Sequence, residues 1–100
     1  MSTFLSKKLK GFYQRKGNRF VFENGMSLNQ LAWEMWERLD FRGIDPSVLS
    51  RVLRGKRLFT PSQLEVFARI LQLSQEDKQQ LKRCLIKDYS LRLGFLSDIW

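Results

Sequence analysis

Four positions in this chain carry the same signal for a helix start. Ser27, Asp45, Thr60 and Ser74 each stand just before an apolar run, where a short side-chain oxygen can accept a backbone N–H that the first turn leaves unpaired. Ser27-Leu28-Asn29-Gln30 and Thr60-Pro61-Ser62-Gln63 also have the capping-box spacing. Pro46 and Pro61 fall on the first helical position, where no intrahelical partner awaits the missing N–H. A chain punctuated in this way has little choice but to be built from helices.

The apolar spacing agrees with these starts. Leu28, Leu31, Ala32, Met35 and Leu39 form one stripe, Leu49, Val52 and Leu53 a second, and Leu64, Phe67, Ala68 and Leu71 a third. Leu81, Cys84, Leu85 and Tyr89 continue the pattern in a last helix, which makes Cys84 a small buried apolar residue and not a reactive thiol. Leu5, Leu9 and Phe12 support an earlier helix over Thr3 to Lys16, although Gly11 inside it costs about 1 kcal/mol relative to alanine. Arg19-Phe20-Val21-Phe22 alone reads as extended. With no second strand of comparable quality to pair with it, it is expected to be a connection that packs Phe20 or Phe22 on the helices. The expectation is one all-α domain over residues 1–100, of about five helices with a short extended N-terminal connection: a basic stretch at 1–25, a core at 27–73, and a last helix and apolar tail at 74–100.

Composition narrows the chemistry. One cysteine and no histidine exclude an intramolecular disulfide and deprive the chain of the usual zinc ligands, so neither metal nor cofactor is expected. Residues 1–11 lack the continuous apolar stretch of a signal peptide or membrane span, and the expected setting is cytoplasmic. Glu34 and Glu37 are neighbours on one helical side, but nothing places a cleft or substrate partner beside them, and an enzyme is not expected. The net charge of +8 favours polyanions, and residues 1–25 alone carry +5.

Stop signals suggest how that charge is presented. Gly43 and Gly55 follow apolar helical runs and can take the left-handed conformation that ends a helix. With Gly43 in that position, Ile44 and Leu39 would make the apolar contact of a Schellman motif. In a helix from Pro46 to Arg54 with Leu49, Val52 and Leu53 buried, Ser47, Ser50, Arg51 and Arg54 lie on or beside the exposed face. The start of the preceding helix, at Ser27 and Leu28, offers backbone N–H groups and a partial positive charge to a phosphate.

Leu31-Ala32, Gly43-Ile44-Asp45, Val48-Leu49-Ser50-Arg51, Gly55-Lys56-Arg57 and the run from Leu64 resemble the phage-repressor and Cro-type helix-turn-helix family, often called XRE-like, over about residues 27–73. The resemblance implies a lambda-repressor-like bundle that binds double-stranded DNA in a transcriptional or mobile-element regulator, with residues 46–54 in the major groove. It implies that Ser47 and Arg51 face base edges, where arginine can reach guanine O6 and N7 with two hydrogen bonds, and that Arg54, Lys56 and Arg57 hold phosphates. Two features depart from the family. Leu28 and Pro46 replace the polar residues common at those first helical positions, leaving Pro46 only ring carbons for a thymine methyl. Ala32 and Gly43 are 11 positions apart, seven more than the family's usual spacing, which as helix would add about two turns, roughly 10 Å.

A second class of function competes. The helix-turn-helix layout can serve as a protein-interaction module, with Trp33, Trp36 and the C-terminal Leu93, Phe95, Leu96, Ile99 and Trp100 as contacts. The Trp33 and Trp36 pair reads as core sooner than as a binding platform, since Trp36 adjoins the apolar stripe, with Trp33 the less decided of the two. The apolar end is expected to pack on the domain, to join two copies in a homodimer on a palindrome, or to lead into a further domain. No membrane or small-molecule partner is suggested. RNA is disfavoured because the chain lacks the aromatic-bearing motifs of single-strand readers.

Overall fold

Each of the four start signals caps a helix in the computed structural model, which describes residues 2–92. The apolar tail beyond Arg92 lies outside the described residues. Five α-helices are present among those described: α1 Phe4–Leu9, α2 Leu28–Arg38, α3 Pro46–Leu53, α4 Pro61–Ile70 and α5 Gln75–Arg92. Ser27 and Thr60 both close full capping boxes, with Gln30 and Gln63 reaching back to the cap N–H groups. Asp45 accepts the Val48 N–H at 2.8 Å, and Ser74 accepts that of Asp77 at 3.1 Å. No described helix is long and apolar enough to cross a membrane.

The N-terminal region departs from the all-α expectation. The helix expected over Thr3 to Lys16 stops at Leu9, tightens into a 3₁₀ turn over Lys10–Phe12, and passes into strand β1, Tyr13–Lys16. Strand β2, Arg19–Phe22, pairs with it antiparallel in the register Tyr13↔Phe22, Gln14↔Val21, Arg15↔Phe20, Lys16↔Arg19. The two-residue loop Gly17-Asn18 makes this possible, because Gly17 has φ +63°, the left-handed sense that hairpin turns demand of their first residue. The extended segment therefore has its partner in residues that the helical reading had absorbed. Its aromatic side packs as expected: Phe22 is buried, with its ring centroid 6.0 Å from that of Phe67.

The helices share one core. Helix α2 packs on α3 and α4, α4 on α5, and α5 on α1. Leu31, Met35, Leu49, Val52, Leu64, Phe67 and Leu81 are fully buried, each contributing about 1.5–3 kcal/mol of hydrophobic stabilisation. Phe59, in the connection between α3 and α4, joins them as a fully buried ring packed at a tilt against Phe67, and its carbonyl accepts the Tyr89 hydroxyl at 2.8 Å. Cys84 is half-buried against this core.

Helix α1 has six residues, too few to stand alone in water, and borrows its start from the far end of the chain. The buried Asp88 carboxylate of α5 accepts the N–H of Phe4 at 2.9 Å and of Leu5 at 2.8 Å, while Thr3 accepts that of Ser6. Every opening N–H of α1 is thereby satisfied.

Two helices, α3 and α4, end in the full Schellman arrangement, and α2 ends with its longer bond alone. In α3 the Lys56 N–H reaches the Arg51 carbonyl at 2.9 Å and the Gly55 N–H reaches Val52 at 3.1 Å, with Gly55 at φ +79°. Helix α4 ends likewise through Gln72 and Leu73. Helix α2 ends earlier than expected: Asp40, at φ +58°, and not Gly43, is its first left-handed residue, and the Phe41 N–H closes on the Trp36 carbonyl at 2.9 Å. The accompanying apolar contact is Phe41 on Trp36, 4.8 Å between centroids, and not Ile44 on Leu39. The ten residues between Ala32 and Gly43 are divided into six further helical positions and a four-residue turn that begins at Leu39.

Gln63, only 4% exposed, links that turn to α4. Its Oε1 accepts the Thr60 N–H at 3.0 Å while its Nε2 donates to the Gly43 carbonyl at 2.7 Å. Gln63→Glu keeps the first bond and turns the second into an oxygen–oxygen contact. It is expected to lower unfolding free energy by about 1–3 kcal/mol in urea titration, and wild-type stability would remove the proposed clamp. On the opposite side of α4, Glu65 pairs with Lys78, and with Lys82 at 3.7 Å. The Lys78 hydrogen bond, with the surrounding cations, holds its carboxyl below the usual 4.5. A carboxylate with a lowered folded value stabilises above the unfolded value and loses that effect as pH falls through the folded one. Glu65→Gln should therefore destabilise at pH 7 and converge on wild type as pH drops well below 4.5. An equal gap in denaturation midpoint at both ends of that range would contradict it.

Candidate nucleic-acid interface

Helix α3 is short, amphipathic and fixed at both ends. Asp45 and Pro46 start it, Gly55 stops it, and Leu49, Val52 and Leu53 anchor its inner face. The outward residues are those that the spacing identifies: Ser47, Arg51 and Arg54 are exposed, and Ser50 and Pro46 are half-buried. Gly55 turns the chain so that Lys56 and Arg57 leave the helix exposed beside Arg54. Among the described residues, none of these four cations is paired with a carboxylate; the ion pairs there join Arg38 to Glu34 and Lys78 and Lys82 to Glu65. Arg54 bends back, its Nε donating to the Ser50 carbonyl at 3.4 Å.

Two grooves border α3, and the hairpin stands between them. One brings together Ser27, Leu28 and Asn29 at the start of α2, Ser50 of α3, and Asn18, Arg19 and Phe20 of the hairpin. The other brings Arg54 and Leu53 against Lys10 and Ser6 of the N-terminal helical region and Tyr13, Arg15 and Phe20 of the hairpin. Burial raises the Tyr13 hydroxyl above its ordinary value of 10, with Arg15 opposing the shift.

The residues expected to bind are thus largely gathered on one side. Ser27, Leu28 and Ser50 meet in the first groove, Arg54 lines the second, and Pro46, Ser47 and Arg51 occupy the open face of α3. At the start of α2 the means of holding an anion is altered. The Ser27 hydroxyl already accepts the Gln30 N–H, its own N–H goes to the Gln30 side chain, and an isolated bridge ties its backbone to Val21 of β2. The first-turn N–H groups of Leu28 and Asn29 stay open to an anion, together with the exposed Asn29 side-chain amide. Arg19 belongs to the basic run of the N-terminal third, which can flank a duplex, and the pairing of β1 with β2 carries it and Asn18 to α3, while Asn29 sits there in the first turn of α2; sequence spacing points to neither asparagine. The Gly-Asn dipeptide between two residue runs of strand length was the available signal.

Acidic and aromatic groups lie elsewhere on α2. Trp33 is 49% exposed and Phe41 65%, with Trp36 half-buried between them, 5.6 Å from Trp33 and 4.8 Å from Phe41 in edge-on contacts. Trp33 shares its groove with Glu34 and Glu37. No family model matches this chain, and no curated protein or solved structure matches it significantly. Among the described residues no cluster of carboxylate and thiol groups could hold a metal ion.

Proposed function

We propose that this chain is a sequence-specific double-stranded DNA-binding domain of the XRE-like helix-turn-helix type, serving a transcriptional or mobile-element regulator. The observation that carries the proposal is the exposed face of α3, where Arg51, Arg54, Lys56 and Arg57 stand without acidic partners among the described residues, beside a helix fixed by caps at both ends. Helix α3 is slim enough for a major groove about 12 Å wide, and its inner residues are committed to the core. Ser47 and Arg51 are the base readers in this scheme, with Pro46 offering ring carbons and Ser50 reaching from the groove floor. Arg54, Lys56 and Arg57 neutralise phosphates after the helix, and Ser27 and Leu28 mark the backbone approach at the start of α2. Asp45 weighs against a phosphate at the start of α3, since its carboxylate already occupies the Val48 N–H.

A second reading has its own observation. The Trp33–Trp36–Phe41 ladder leaves two large rings open beside Glu37 and the Glu34–Arg38 ion pair, an apolar surface better suited to a protein than to the duplex. In this reading the helix-turn-helix layout is retained as an interaction module.

Mobility-shift titrations separate the two. Arg51→Ala should cost about 1–3 kcal/mol on a selected duplex and relax its sequence preference, whereas Lys56→Ala should weaken all duplexes alike and reduce the salt slope by about 1. Absence of salt-sensitive binding to any duplex from a random pool would end the DNA proposal. Trp33→Ala combined with Phe41→Ala should leave duplex binding within about twofold of wild type, because neither ring adjoins α3's exposed face; a large loss would place the ladder in the DNA interface.

A further inference from the structure

We propose that the β1–β2 hairpin is a second DNA-contacting element, whose tip grips the phosphodiester backbone bordering the groove that α3 enters. This rests on the DNA-binding reading of α3 and adds a site to it. The hairpin runs beside α3: Arg19 and Asn18 share a groove with Ser50, and on the other side of Phe20, Arg15 shares one with Arg54. A strand whose bases face α3 would thus pass with its phosphates against the hairpin tip.

The charge arrangement points to an anion. Arg15, Lys16 and Arg19 are exposed and unpaired with carboxylates among the described residues. Lys16 stands directly opposite Arg19 in the strand register. Like charges in that relation destabilise a hairpin, and a two-stranded ribbon has little stability to spare. A phosphate between them reverses the sign of the interaction. The sole acid of residues 1–25, Glu23, follows β2 at the end of the hairpin away from this tip.

The element is also held rigid, so that little ordering is needed on contact. Phe22 is buried against Phe67, its N–H donates to the Met26 carbonyl at 2.9 Å, and the Glu23 N–H donates to that of Phe12 at 3.2 Å. The Arg15 guanidinium lies 5.4 Å from the centre of the Phe20 ring, which fixes it over the ring face. Asn18 and Asn29 add neutral amide donors at the same groove. Since phosphates are alike in every sequence, this contact contributes affinity and register without selectivity.

The test is a salt titration of duplex binding by Lys16→Gln/Arg19→Gln in the full chain, beside wild type, Arg51→Ala and the charge-retaining Lys16→Arg/Arg19→Lys. Both altered positions are exposed, and circular dichroism checks the fold. The neutralised variant should show a log K against log salt slope shallower by about 2 and roughly tenfold weaker binding at low salt, equally on selected and random duplexes; the charge-retaining variant should match wild type. An unchanged slope and affinity in the neutralised variant, with Arg51→Ala still losing preference, overturns the hairpin proposal and leaves the α3 reading standing. A changed sequence preference at constant slope overturns it too. Wild type that binds no duplex removes the α3 reading itself, and the hairpin proposal with it.

Discussion

The carboxamide of Gln63 sets the angle at which α3 meets the solvent. Helix direction after a turn depends on how the turn's backbone is held, and residues 39–44 contain three left-handed positions, Asp40, Phe41 and Gly43, with few bonds among themselves. The Nε2 bond to the Gly43 carbonyl ties that segment to α4, while the same side chain completes the start of α4 itself. One buried amide thereby couples the end of α2, the entry to α3 and the position of α4. An apolar residue of equal size could fill the space but would leave the Gly43 carbonyl without its donor.

Charge and apolar surface are separated on the molecule. The side bearing α3 and the hairpin tip displays arginines and lysines, and the outer edge of α2 bears Glu34, Glu37 and the aromatic ladder. A polyanion is drawn to the side on which Arg51, Arg54, Lys56, Arg57 and the hairpin cations are exposed without acidic partners among the described residues. The aromatic edge is then free to meet something else while the basic side is occupied.

The parts of this architecture visible in the sequence were those governed by local chemistry. Caps at Ser27, Asp45, Thr60 and Ser74, prolines at first helical positions, and a left-handed stop at Gly55 each depend on residues within one turn of each other. The exposed face of α3 followed from the same periodicity. What could not be read depended on distant partners or on competition between local preferences. Tyr13 to Lys16 look helical beside Leu5 and Leu9, yet strand pairing with Arg19 to Phe22 prevails once Gly17 reverses the chain. The stop of α2 falls at Asp40 and not Gly43 because edge-on packing of Phe41 against Trp36 favours closure there in spite of a side chain at a left-handed position. Phe59 lay in a segment without periodicity and gave no sign that it fills the centre of the core.

Asp88 ties the two ends of the described chain together across a sequence separation of 84 residues from Phe4 and 83 from Leu5. The opening turn of α1 is therefore completed only by a residue made more than 80 positions later, whereas the hairpin that follows it is held by nearer partners, Met26 and Phe67. Shortening α5 to before Asp88 would consequently be felt at α1, on the other side of the sequence.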